Sequence, residues 1–268
     1  MALCIQNITA SYGKKKILHD LSVNIAAGRF TALVGPNGCG KSTLLKTVMG
    51  FVPHSAGNIL LEDRPIDGFS RKELAKKIAY LPQESRCPDY MTLGELVELA
   101  GYARNPLFGG PSERDRELFR NALEIVGLSD FASAQVNSLS GGQRQRAWVA
   151  MVLAQDTDII LLDEPVNHLD IKYQYTVLEL VRNLSLQHGK TIVTVLHDIN
   201  LTTIFADDVV MMKEGRVITA GSVEETMTPE HIKQVFDIPT DIFDHNGRKV
   251  CLPFPTMLPT KNDMGAEC

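Results

Sequence analysis

Two stretches near the start, Leu3 to Thr9 and Leu21 to Ile25, alternate apolar with polar side chains, the period-two pattern of antiparallel strands with one buried face. Tyr12 falls in the connection predicted between them. Phe30 to Val34, Ile78 to Leu81, Ile159 to Leu162, Thr191 to Leu196 and Val209 to Met212 are different: short, mostly apolar runs, as in parallel strands covered on both faces. Arg216 to Ile218 adds a further strand, and helical periodicity between the runs predicts an α/β core. From about Glu84 to Leu153 strand-like runs vanish, which predicts a helical insertion. Within it, Thr92-Leu93-Gly94-Glu95 has capping-box spacing, and a helix opening at Ser112 presents Leu118, Phe119, Ala122, Leu123, Ile125 and Val126 before stopping at Gly127. Thr228-Pro229 starts a last helix through Val235. Beyond Asp237 the pattern weakens, and Pro239, Pro253, Pro255 and Pro259 predict a short extended appendage with a mobile end. The expected organisation is one domain over 1–238, with a core of 1–83 and 154–238 around a helical part, 84–153, followed by the appendage 239–268.

Composition narrows the function classes. A chain of 268 residues with 44% hydrophobic and 22% charged residues suits a soluble globular protein with a substantial core. No run approaches the roughly 18–20 apolar residues of a membrane span. Met1 to Thr9 lacks the basic and apolar regions of an export signal, so a cytoplasmic location is expected. A net charge of -5 gives no general attraction for nucleic acid, and no nucleic-acid partner is expected. Five cysteines with no C-x-x-C pair indicate neither a zinc site nor a disulfide framework.

Chemistry concentrates after the first buried run. Gly35-Pro36-Asn37-Gly38-Cys39-Gly40-Lys41-Ser42 matches the phosphate loop G-x-x-x-x-G-K-[ST], set between Phe30 to Val34 and a helix expected from Thr43 to Met49. Inward backbone N–H groups and the helix N-terminus favour phosphate anions there, Lys41 reaches the β and γ phosphates, and the Ser42 hydroxyl binds Mg²⁺. Nearby N–H dipoles and Lys41 act to lower the Cys39 thiol pKa, although its plainest role is that of a small residue tolerated in the loop. Ile159 to Leu162 then delivers Asp163 and Glu164 at a strand's C-terminal end, where open α/β sheets place ligands. Asp163 is expected to hold Mg²⁺ and Glu164 to act as the base on the attacking water.

Leu139-Ser140-Gly141-Gly142-Gln143, about 20 residues before Asp163, is similar to the LSGGQ signature of ABC-type ATPases. The resemblance spans roughly Met1 to Pro239 and implies a P-loop NTPase, RecA-like core with an antiparallel β subdomain and an inserted α-helical subdomain. It implies ATP and Mg²⁺ as cofactors, and a head-to-tail homodimer in which Ser140, Gly141, Gly142 and Gln143 of one subunit close over ATP held by residues 35–43, from Gly35 to Thr43, of the other. Ser140 and the glycines opening a helix give that closure a physical basis, since a helix start offers N–H groups and a positive end. Gln83 resembles the Q-loop glutamine, contacting Mg²⁺ and water. His197 resembles the switch histidine that touches the γ-phosphate and supports Glu164, and Tyr12 resembles the aromatic that stacks on adenine. Pro165 to Asp170 looks like the D-loop on the dimer seam, although Val166 stands where many relatives carry Thr.

Tyr80-Leu81-Pro82-Gln83, Gly101 to Pro106, Gln143 to Ala147, Met151 to Gln155 and Leu196 to Asn200 look like importer ATPases for ferric siderophores, haem and cobalamin, with ferric siderophore the first choice. That group works peripherally on the cytoplasmic face of the cell membrane, beneath two permease subunits fed by an external substrate-binding protein. The permease surface is expected over Gln83 to about Pro106, where an amphipathic helix would lie. An exporter subunit and a soluble ABC-type ATPase of DNA repair or translation remain open here. A small-molecule kinase would have no use for Leu139 to Gln143.

Overall fold

A computed structural model describes residues 1–104, 110–167 and 169–254. The expected mobile end beyond Pro255, the Asn105-Pro106 pair and His168 lie outside the described residues.

Strands β1 (Leu3–Tyr12) and β2 (Lys15–Ile25) form a hairpin longer than the alternation predicts. The reason is irregular register: Ile5 and Ile8 are both buried although three apart, because the pairing shifts between them and Asn7 takes φ +53°. Tyr12 is the last residue of β1 rather than part of a connection. The next elements are β3 (Phe30–Val34), α1 (Lys41–Val48), β4 (His54–Leu61), β5 (Arg64–Pro65), α2 (Arg71–Ala75) and β6 (Ile78–Leu81). The pattern predicted neither β4 nor β5, which complete a four-stranded antiparallel sheet in the order β2-β1-β4-β5.

Helices α3 (Leu93–Glu98), α4 (Glu113–Ile125) and α5 (Gly141–Ala154) follow, with no intervening strand among the described residues. Each opens on a hydroxyl residue in a capping box: Thr92 with Glu95, Ser112 with Asp115, Ser140 with Gln143. Their apolar faces, including Leu96, Phe119, Leu123 and Val149, join the hydrophobic cluster that lies against one face of the main sheet. Arg104 ties α4 to the end of α5, donating to Asp115 at 2.9 Å and to the Ala154 carbonyl at 2.8 Å.

The chain continues through β7 (Ile159–Leu162), α6 (Ile171–His188), β8 (Thr191–Val195), α7 (Ile199–Phe205), β9 (Asp208–Lys213) and β10 (Arg216–Ser222). The six-stranded sheet has the order β10-β9-β3-β8-β7-β6, parallel throughout except for β10 on its edge. Every residue of β3, β7 and β8 is buried, which is why they read as mostly apolar runs broken only by threonine. Each Leu or Ile so enclosed contributes about 1.5–3 kcal/mol.

After α8 (Val223–Thr226) and α9 (Pro229–Phe236), the appendage differs from the expected extended tail. Strands β11 (Thr240–His245) and β12 (Arg248–Pro253) pair in register as a hairpin. Asn246 and Gly247, both at positive φ, make its two-residue turn.

Candidate functional site

Sheet order explains how distant residues meet. Strands β3, β8, β7 and β6 are consecutive neighbours and run parallel. The segments leaving their C-terminal ends carry the phosphate loop, His197, the Asp163-Glu164 pair and Gln83, so one rim of the sheet gathers all four.

The loop from Gly35 to Gly40 rests directly on neighbouring backbone. Gly35 has φ +151°, and a Cβ there would lie 2.1 Å from the Met212 carbonyl oxygen, so a side chain is excluded. From the other side the Cys39 carbonyl accepts the Gly215 N–H at 2.9 Å, and the Gly215 carbonyl accepts the His19 N–H at 2.9 Å. The turn between β9 and β10 thereby braces the loop against β2, a role with no motif to announce it. Lys41 is 5% exposed, and its ammonium donates to the carbonyls of Gly35 at 2.7 Å and Pro36 at 3.1 Å. Helix α1 begins at Lys41, two residues earlier than expected, and its N-cap Gly40 offers no side-chain acceptor to the first-turn amides. Thr43 is buried in that first turn. Cys39 corrects the expectation: burial pushes its thiol up, outweighing Lys41 and the backbone hydrogen bonds.

Asp163 is fully buried. Its Oδ1 accepts the Ser42 hydroxyl at 2.8 Å and its Oδ2 accepts the Tyr80 hydroxyl at 3.3 Å. Burial holds its carboxyl above the ordinary range, with the charge of Glu164 adding to the rise; the Ser42 and Tyr80 hydrogen bonds and Lys46 oppose it. Burial, and then the Asp163 charge, push the Tyr80 phenol upward as well. A cation beside Asp163 reverses this cost. The donor set suits Mg²⁺, since a hydroxyl and a carboxylate are hard oxygens, and among the described residues no cluster of three or more His, Cys, Asp or Glu could make an all-protein cage.

Glu164 turns away from that pair. It adopts φ +57°, a left-handed conformation uncommon for a residue with a side chain, where the chain leaves β7. Its Oε1 lies 2.7 Å from His197 Nε2. Its Oε2 accepts from Gln83 Nε2 at 2.6 Å and from the Asn167 side-chain amide. The Gln83 amide nitrogen is on the carboxylate of Glu164, a contact the sequence did not announce, which leaves its carbonyl oxygen for a cation or water. Sequence places Asn167 only within the D-loop-like stretch; its contact as a donor to Glu164 becomes visible through the turn geometry after Glu164.

The remaining residues lie outside this cluster. Ser140 caps α5 and its Oγ accepts the Gln143 N–H at 3.3 Å, while Gln143 Oε1 accepts the Ser140 N–H at 2.9 Å. The expected set of uncovered amides is therefore reduced, with Gly141 and Gly142 left outside the box. Tyr12 is half exposed at the end of β1. Past Gln83, a groove of about 250 Å³ runs between Ser85, Arg86 and Asp89 on one wall and Asn137, Arg144 and Trp148 on the other. The second wall comes from α5 and the segment before it, beyond the expected Gln83 to Pro106 stretch.

Known proteins share this plan. The ABC transporter family profile matches residues 18–167. The chain is 39% identical over 255 residues to the iron(3+)-hydroxamate import ATP-binding protein FhuC of Bacillus subtilis (strain 168), covering 94% of this chain and 95% of that one. It is 40% identical over 239 residues to the ferric enterobactin transport ATP-binding protein FepC of Escherichia coli (strain K12), covering 89% and 88% respectively. Among solved structures, a chain of an inward-facing ABC transporter assigned to the metal-chelate type superposes with a TM-score of 0.82 at 26% identity over 95% of this chain and 97% of that chain. A dimeric bacterial ABC transporter cassette gives 0.73 at 30% identity over 82% and 98%, and the same values hold for its post-hydrolysis state with ADP and Pi. With its phosphate loop, paired strand-end carboxylates and serine-capped glycine helix in one α/β frame, the chain belongs to the ABC transporter family as an ATP-binding, ATP-hydrolysing subunit.

Proposed function

We propose that this subunit energises uptake of a ferric siderophore, working as a head-to-tail homodimer on the cytoplasmic face of the membrane beneath separate permease subunits. The observation that carries the reading is the single rim at which four neighbouring strands bring Lys41 and Ser42, Gln83, Asp163 and Glu164, and His197 together. No helix among the described residues is long and apolar enough to cross a membrane, which fits a division of labour with permease chains. The ATPase domain is assigned to 1–238, with 84–153 as its helical part.

In this reading the phosphate-loop amides, the α1 N-terminus and Lys41 bind the β and γ phosphates, and Tyr12 stacks on adenine. Ser42 and Asp163, with the Gln83 amide oxygen, are the residues that would hold Mg²⁺, which supplies charge neutralisation at the phosphates. Glu164 takes the proton of the attacking water as ATP and water become ADP and phosphate. Gln83, Asn167 and His197 hold its carboxylate in one orientation, a positioning that costs nothing at the moment of reaction. His197 also faces the γ-phosphate. The partner subunit brings the start of α5, where the amides of Gly141 and Gly142 and the Ser140 hydroxyl meet the same phosphate.

Transport follows from differential binding. Moving a pair from 1:99 to 99:1 in favour of closure takes about 5.5 kcal/mol, which two nucleotides shared between subunits supply only if they bind the closed pair that much better. Loss of the γ-phosphate removes that preference and resets the pair. The groove between Arg86 and Trp148 is where a permease helix would take up the motion.

The test is transport by the chain reconstituted with its permease and binding protein, supplied in turn with ferric hydroxamates, ferric catecholates, haem, cobalamin and Mn²⁺. ATP-dependent accumulation of a ferric chelate alone supports the reading, and accumulation of another cargo replaces siderophore by that cargo. Glu164→Gln in the same complex should keep ATP binding and lower turnover by about 10²- to 10⁴-fold. Unchanged hydrolysis would remove Glu164 from its role.

A further inference from the structure

The hairpin that ends the described chain is fastened to the helix immediately after His197. In the first turn of α7 the Asn200 side chain makes two hydrogen bonds to one residue: Oδ1 accepts the Cys251 N–H at 2.8 Å, and Nδ2 donates to the Cys251 carbonyl at 3.1 Å. A side-chain amide used this way completes the backbone pairing of a strand as a neighbouring strand would. Few side chains can replace it, since aspartate accepts without donating and serine cannot span both groups.

The partner is itself anchored. Cys251 is the buried position of β12, cross-strand from Ile242, whose side chain packs on the main hydrophobic cluster. Lys249, two residues away, donates to the carbonyls of Glu224 at 2.6 Å and Met227 at 3.2 Å around α8. The hairpin is therefore held at two places independent of the nucleotide rim.

The other end of the connection is His197. Asp198 caps α7, its Oδ1 accepting the N–H of Asn200 at 2.7 Å and of Leu201 at 3.0 Å. His197 is the residue before that cap, held on one side by β8 and on the other by the turn that Asn200 anchors. Its imidazole must stay 2.7 Å from Glu164 Oε1, and a shift of α7 by an ångström is enough to break such a contact.

We infer that Asn200 is a positioning residue for His197, and that the β11–β12 hairpin is the buttress through which it acts. The inference rests on the reading of His197 as a group that serves Glu164. Asn200 touches neither nucleotide nor water; it fixes the first turn of α7 so that the imidazole meets the carboxylate.

The test uses the full chain with its permease for kinetics and the full chain alone for spectra. Asn200→Ala should lower kcat about three- to tenfold, the loss expected from one or two buried hydrogen bonds, with the KM for ATP changed less than about twofold. In ¹³C-histidine-labelled protein the His197 ring resonance, assigned with His197→Gln, should move while that of His231 stays. In a His197→Ala background, Asn200→Ala should add no further loss. An equal loss in both backgrounds, or a lowered Tm with kcat and the His197 resonance unmoved, overturns the inference. Unchanged turnover in His197→Ala alone would instead overturn the assignment of His197, whatever Asn200 does.

Discussion

At the scale of single residues, Glu164 is the most constrained side chain of the site: three neighbours engage its two oxygens and its backbone is left-handed. Asn167→Ala removes one of these donors, and about 1 kcal/mol of lost orientation corresponds to roughly fivefold in kcat with nucleotide affinity retained. Steady-state kinetics beside equilibrium ATP binding would check it. Tyr80→Phe leaves the ring packed near Phe51 but deprives Asp163 Oδ2 of its hydroxyl. The expected outcome is weaker Mn²⁺ binding in the presence of nucleotide, read by paramagnetic resonance, with little change in nucleotide binding without metal. The placement of Lys41 and Ser42 at the start of α1 and of Asp163 at the end of β7 was legible in sequence, because a motif set between a strand and a helix, and an apolar run ending in acids, each have a fixed spacing. The contacts of Asn167 and Tyr80 were not, since an amide three residues after a carboxylate and a tyrosine within a strand reach their partners only through the fold.

Elements were legible in proportion to how completely they are enclosed. Ile78 to Leu81 and Ile159 to Leu162 have the bounds the apolar runs predict, because burial on both faces leaves no polar position to blur the ends. β4 escaped because its exposed first half, His54 to Gly57, carries no alternation. The hairpin β11–β12 escaped because prolines flanking it resemble those of a disordered tail. Connections between elements carry their own predictions. A Cβ on Gly215, at φ +74°, would lie 2.0 Å from the Ile17 carbonyl oxygen, so Gly215→Ala should cost about 1–3 kcal/mol and weaken ATP binding through the brace on Cys39. Chemical denaturation and nucleotide titration would read the two effects. Asp207, the residue before β9, accepts from Arg182 at 2.5 and 2.7 Å and from the Phe30 N–H at 2.9 Å. Burial alone would raise its carboxyl, but the Arg182 and Phe30 hydrogen bonds outweigh it and hold the group below the ordinary range. A depressed carboxyl stabilises the fold above its unfolded value and loses that contribution as pH falls through its folded value. Melting temperatures should therefore fall less steeply below about pH 4 in Asp207→Asn than in the parent, after a lower starting point at neutral pH.

For the whole molecule, the proposed head-to-tail pair would have the phosphate loop and the start of α5 of one subunit serve different nucleotides. Lys41→Ala damages one contribution and Ser140→Arg the other, so each variant alone has two broken sites. A mixed pair retains one site in which the intact loop of one subunit faces the intact α5 start of the other. Mixing the two, each also carrying Glu164→Gln, should trap about one nucleotide per pair where neither variant traps any, measured by filter retention and by elution at the mass of a dimer. The four-strand rim has a further consequence for synthesis. Its chemical groups are spread from Gly35 to His197, so a nascent chain leaving the ribosome lacks a complete cradle until β8 has emerged. Cellular ATP can therefore lend little stability to the early parts of the polypeptide, and the first sheet must hold itself together while waiting for residues made much later.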